Sequence, residues 1–204
     1  MEEKLTLEEG IFAVKMARKS IESFLNGVDL VILDYPEKFK TNRGVFVSLY
    51  TYPQHNLRGC IGIPEPIMPL VEALKEAAIS AAVNDPRFPP LTINELPNIV
   101  VEVSVLTVPK LINVSDPIKY LDKIIIGRDG LIIEYMHYRG LLLPQVPVEY
   151  GWDVKTYLEN LCLKAGLPPN AWLEDGVKIY SFQAQVFAEL SPDGPIVEKK
   201  LIEQ

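Results

Sequence analysis

The chain has 204 residues, of which 48% are hydrophobic and 23% charged, the balance of a globular protein rather than a disordered or fibrous one. Twenty Lys and Arg against 27 Asp and Glu give a formal charge of −7, so clustered basic residues for general phosphate-backbone binding are not expected. No apolar run approaches the roughly 18 residues of a spanning helix, and the polar, acidic start is unlike a signal peptide, so the expected location is cytoplasmic, with no membrane partner.

In chain order, Thr6-Leu7-Glu8-Glu9 has the form of a capping box, and Ile11, Val14, Ala17, Ile21 and Leu25 follow at helical spacing up to Asn26-Gly27. Val45 to Tyr52 is rich in β-branched and aromatic residues and reads as a strand. A polar turn at Pro53 to Asn56 returns the chain through Leu57-Arg58-Gly59-Cys60-Ile61-Gly62 as an antiparallel partner. The alanine-rich stretch from Leu70 to Asn84 suits a helix lying close against a sheet, and Asp85-Pro86 ends it. Ile99 to Val108 reads as a strand in which Val101, Val103 and Val105 alternate with Glu102 and Ser104.

Further on, Ile124-Ile125-Ile126 and Leu131 to Tyr138 are expected to form a hairpin turning at Asp129-Gly130. A second helix is expected from a cap at Asp153 to Gly166, and one last strand from Val177 to Glu189, with Tyr180, Phe182, Ala184, Val186 and Ala188 on one face. The tail from Ser191 reads as exposed. Strands joined by short turns predict an α+β fold with an antiparallel sheet and packed helices, not repeated βαβ units.

Soft metal ligands are limited to His55, His137, Cys60 and Cys162, with no CxxC and no HExxH, so no metal site is predicted. Phosphate-loop and nucleophile-elbow motifs are missing as well, and no cofactor is indicated. What remains is the segment around Cys60. Arg58 could offer a planar fork to a carboxylate or phosphate and could lower the pKa of a nearby thiol. Gly59 and Gly62 could allow close approach of a ligand. Equally, Cys60 could be a small buried apolar residue, the glycines a bulge or tight packing, and Arg58 a structural ion pair.

Asp85-Pro86-Arg87-Phe88 could project a carboxylate and a guanidinium from a rigid loop, Arg87 holding an anion and Asp85 orienting Arg58 or a substrate donor, or could be a surface pair. Glu102 and Ser104 share one face of a valine-rich strand, and either meet solvent or line a polar pocket, to which Gln145 of Leu143-Pro144-Gln145-Val146 could contribute.

Taken together, Leu57 to Gly62, Asp85 to Phe88, Glu102 to Leu106, Ile126-Gly127 with Gly130-Leu131, Leu143 to Val146 and Lys164 to Leu167 resemble the AMMECR family, named for a human chromosomal region linked to Alport syndrome, midface hypoplasia and elliptocytosis. The resemblance runs through nearly the whole chain. It implies one AMMECR-type domain over residues 5–195, made of a larger and a smaller subdomain with a cleft between them. It also implies separate partners, a Memo-like protein and a radical S-adenosylmethionine enzyme, but no particular reaction. The expected function is that of a binding or adaptor module for a small anionic ligand or a partner protein, centred on Leu57 to Gly62. In this reading Arg58, Gly59, Gly62, Asp85, Arg87, Ser104 and Gln145 contribute to binding. The alternative is an enzyme in which Cys60 is a thiolate nucleophile and Glu102 its acid or base.

Overall fold

A computed structural model describes residues 4–200. The chain divides into two compact units, the first holding residues up to Leu106 together with Gln185–Lys199, the second Thr107–Ala184. The first contains α1 (Leu7–Leu25), β1 (Val45–Thr51), β2 (Leu57–Ile63), α2 (Leu70–Val83) and β3 (Ile99–Leu106). The second contains β4 (Lys110–Leu111), α3 (Tyr120–Lys123), β5 (Gly130–Tyr135), β6 (Tyr138–Leu142), α4 (Gln145–Glu149), α5 (Val154–Lys164) and β7 (Lys178–Phe182). The chain then returns to the first unit through β8 (Ala184–Glu189) and β9 (Ile196–Lys199).

In the first unit the strands lie in the order β2-β1-β3-β8-β9. Helix α1 starts at the predicted capping box, where the Thr6 side chain accepts from the Glu9 N–H and Glu9 reaches back to Thr6. Its buried stripe of Gly10, Ala13, Val14, Ala17 and Ile21 rests on the sheet, and a Cβ added at Gly10 would stand 2.1 Å from the ring of Phe187. Small residues therefore set the helix–sheet distance. Helix α2 does the same with Ala73, Ala77, Ala78 and Ala81. Val45, Val47 and Leu49 of β1 and Val101, Val103 and Val105 of β3 share one core with both helices. Because successive strand side chains alternate, Phe46, Ser48, Tyr50, Glu102 and Ser104 occupy the opposite face.

The second unit has a sheet in the order β4-β7-β5-β6, with α5 over it, and a separate core built on Leu131, Ile133, Tyr157, Leu158, Leu161, Trp172 and Ile179. Asp153 caps α5 by accepting from the Thr156 N–H, and Gly166, with φ +77°, supplies the left-handed turn after it. Tyr157 is fully buried and donates its hydroxyl to the carbonyls of Asp129 and Leu142, which satisfies the one polar atom it brings inside.

Three expectations need correction. The hairpin is β5–β6, turning at Met136-His137, and Ile124 to Ile126 is not a strand. The Asp129 carboxylate accepts from the Ile125 N–H and from Arg128, which folds those residues into a tight loop, while Ile124 enters the core. The last strand is two strands: at Gln183 the chain leaves the sheet of the second unit and joins that of the first. Its unbroken alternation hides the change, because both halves keep period two. The tail is not wholly exposed either, since Ile196–Lys199 forms β9, antiparallel to β8.

Candidate functional site

Three neighbouring strands set the site. Ser48 is directly opposite Cys60 of β2 on one side and Glu102 of β3 on the other, so these three side chains form a row across the face turned away from the helices. The next row along is Gly62, Phe46 and Ser104. The Ser48 hydroxyl donates to Cys60 Sγ at 3.2 Å, and Lys199 of β9 reaches Glu102 at 2.6 Å. Ser48 and Lys199 were not singled out in the sequence. Ser48 is visible only once the register is known, and Lys199 lies in the stretch that reads as tail.

Asp85 and Arg87 both hold the backbone of Cys60, and Arg87 also meets its thiol. β2 is an edge strand, and at Cys60 its outward peptide groups have no neighbouring strand to pair with. Asp85 Oδ2 accepts the Cys60 N–H at 2.9 Å, and Arg87 Nη2 donates to the Cys60 carbonyl at 3.3 Å. The two side chains also pair with each other, Nε to Oδ1 at 3.0 Å and Nη2 to Oδ2 at 2.7 Å, in the fork geometry that suits arginine and carboxylate. The Arg87 guanidinium, the largest cause, and the N–H groups of Cys60 and Arg87 outweigh the opposing effect of burial and leave the Asp85 carboxyl well below the usual carboxylate range. The Asp85 side chain is 2% exposed and that of Arg87 55%, so the pair is anchored inside and open outside. The Phe88 ring lies 5.5 Å under the guanidinium.

Of the two readings open for Arg58, the structure has the structural ion pair. A register shift leaves Leu57 opposite Tyr50 and Gly59 opposite Leu49, so Arg58 is the extra residue of a β-bulge. Its guanidinium donates to Glu95 at 3.1 and 3.2 Å and to the Pro89 carbonyl at 2.9 Å, bracing the proline-dense loop. Asp85 therefore orients Arg87, not Arg58. A Cβ on Gly59 would stand 2.1 Å from the Ala81 carbonyl, and one on Gly62 2.2 Å from the ring of Phe46. At these glycines the close approach is made by helix α2 and by Phe46. Gln145 is the first residue of α4, in the second unit.

Neither histidine enters the row. His55 stacks on Tyr50 with centroids 4.4 Å apart, and His137 lies at the β5–β6 turn of the second unit. Among the described residues there is no group of three or more His, Cys, Asp or Glu placed to hold a metal ion. No helix among them is long and apolar enough to cross a membrane. Chemically, the row offers a half-buried thiol with a hydroxyl donor, a carboxylate already paired with Lys199, and one guanidinium with an outward edge.

Comparison with known proteins agrees with this architecture. Protein MJ0810 of Methanocaldococcus jannaschii is 67% identical over 97% of this chain and 98% of its own length. Protein PH0010 of Pyrococcus horikoshii is 52% identical over 98% of both chains. The crystal structure described as that of uncharacterized protein PH0010 superposes with a TM-score of 0.85, covering 96% of this chain and 98% of that one. The sequence matches the AMMECR1 family over residues 14–187, and the chain belongs to that family.

Proposed function

We propose that the protein is a binding module for a small ligand carrying one anionic group, seated on the sheet face over Cys60, Ser48 and Glu102. One observation carries this reading: Asp85 takes the Cys60 N–H and holds Arg87 by a two-point pair, so that the guanidinium is fixed beside the Cys60 carbonyl and thiol with its other side open to solvent. Sγ accepts from the neutral hydroxyl of Ser48 and also meets the Arg87 guanidinium. A thiolate enzyme also needs a base beside the sulfur, and neither the Ser48 hydroxyl nor the Arg87 guanidinium is one, while Glu102 is paired with Lys199. The Cys60 N–H, taken by Asp85, is likewise not free to stabilise an oxyanion.

For the ligand, Arg58 is spent on Glu95 and Pro89, and Glu102 on Lys199. Arg87, held by Asp85 through Nε and Nη2, keeps more than half of its side chain open to solvent, the arrangement for a single carboxylate or phosphate. Ser48 and Ser104 add neutral hydroxyls on the same face. In this reading the module works beside separate proteins, a Memo-like protein and a radical S-adenosylmethionine enzyme being the partners that the family resemblance implies.

The test is chemical-shift mapping of the full chain with inorganic phosphate and a panel of small mono- and dicarboxylates. The expected result is saturable perturbation of the amides of Cys60, Glu102 and Ser104 that is lost in Arg87→Ala. Perturbation confined to other surfaces, or unchanged in Arg87→Ala, contradicts the proposal.

A further inference from the structure

On α1, Phe12 and Met16 are four residues apart, and so are Lys15 and Lys19, which sets two apolar and two basic side chains side by side along the helix. The chain beyond the helix crosses this stripe and leaves a groove of about 290 Å³, lined by Phe12, Lys15, Met16 and Lys19 from α1 and by residues 30–34. Phe12 and Ile32 pack on the first core, and the Phe12 ring stands edge-on to the fully buried Phe39 at 5.1 Å, so the inner wall is apolar and fixed. Val31 and Leu33, which also line the groove, are 68% and 89% exposed. An apolar depression with a few charged groups at its rim is the usual form of a small-ligand site, and exposed apolar surface around a groove marks one.

We propose that this groove binds one medium-chain carboxylate, its chain against Phe12, Met16 and Ile32 and its carboxylate at Lys15 and Lys19. Charge is the first argument. Lys38, Lys40, Lys75 and Lys199 of the same unit each pair with an acid at 2.6–3.0 Å, whereas Lys15 and Lys19 make no ion pair among the described residues, in a chain with 27 acidic groups against 20 basic ones. Like charges four residues apart on a helix repel, and an anion shared between them removes that cost. Asp34 also lines the groove, so there is place for one negative end and not for a second. Size is the second argument. At the roughly 30 Å³ that a water fills in the liquid, the groove holds about ten non-hydrogen atoms, the size of octanoate. A partner helix, about 10 Å across, would stand outside it.

The experiment is chemical-shift mapping of the full chain with butanoate, hexanoate, octanoate and decanoate below their micelle concentrations, and with octan-1-ol as the uncharged comparison. The expected result is saturable perturbation of the amides of Lys15, Lys19, Ile32 and Leu33, with a dissociation constant for octanoate of about 0.1–1 mM. Affinity should rise about fourfold per buried methylene up to octanoate and no further in decanoate. Lys15→Gln combined with Lys19→Gln, both at exposed positions, should weaken octanoate about fivefold and leave octan-1-ol unchanged. An affinity that ignores chain length, or that is equal in wild type and the double variant, overturns the proposal. So does perturbation found only at Cys60 and lost in Arg87→Ala, which belongs to the other anion site, or a response only to vesicles of anionic lipid.

Discussion

The two thiols of the chain sit in opposite surroundings. Cys162 is fully buried on α5 among Leu158, Leu161 and Trp172, and burial pushes its thiol up from the ordinary value. Cys60 is half-buried on an edge strand, with a hydroxyl on its sulfur and a carboxylate and a guanidinium on its backbone. The difference teaches that polar groups gathered around a cysteine can serve its peptide as much as its sulfur. Around Cys60 they close a sheet edge, and they hold the side chain toward the proposed binding face as a consequence. Around Cys162 packing dominates, and burial, with the charge of Glu159, outweighs the backbone hydrogen bonds from Trp172 and Ala171 and keeps its thiol protonated.

This contrast can be broken most strongly at Asp85. Asp85→Ala leaves the Cys60 N–H and the Arg87 guanidinium without their buried acceptor and should cost about 3 kcal/mol in urea unfolding at pH 7. The pH dependence follows from the direction of the shift. The folded carboxyl titrates below its unfolded value of about 3.9, so its stabilisation is fully present above that value and is lost as pH falls toward the folded one. The stability gap between wild type and Asp85→Asn should therefore be constant from pH 7 to about 5 and shrink below about 4.

The cysteines themselves come next. Cys162→Ser buries a hydroxyl in an apolar core and should cost about 2 kcal/mol, while Cys60→Ser, beside the Ser48 hydroxyl, should cost under about 0.5 kcal/mol by the same measurement. Equal costs would remove the distinction between the two sites. The smallest effect is expected at Lys199, whose ion pair with Glu102 is partly solvated. Lys199→Ala should cost about 0.5 kcal/mol, less in high salt.

Much of this site was legible in the sequence, and what was not has physical reasons. Local signals were readable: the capping box at Thr6, the strand alternation in β3 and the cap at Asp153 all depend on neighbours within a few residues. The residue types around Cys60 were also readable, but not what they hold. That Asp85 meets the Cys60 N–H depends on a loop 25 residues away folding over the edge of β2. The two readings of Arg58 could not be separated because a bulge, which no periodicity announces, puts an extra residue before Gly59 and turns Arg58 to Glu95. Ser48 was passed over because a serine in a strand of Val, Phe and Leu gains meaning only from its two cross-strand neighbours. The division of one alternating run into β7 and β8 escaped for a related reason, since period two persists through a change of sheet.

The most direct test of the central claim, that the groups around Cys60 brace its backbone and do not activate its sulfur, is the rate of iodoacetamide alkylation at pH 7, read by peptide mass spectrometry. The account predicts that Cys60 in the folded chain reacts no faster than free cysteine, and that Cys162 reacts only as the chain unfolds. A Cys60 rate about tenfold or more above free cysteine, as a preformed thiolate would give, would contradict it and return the thiolate enzyme to first place.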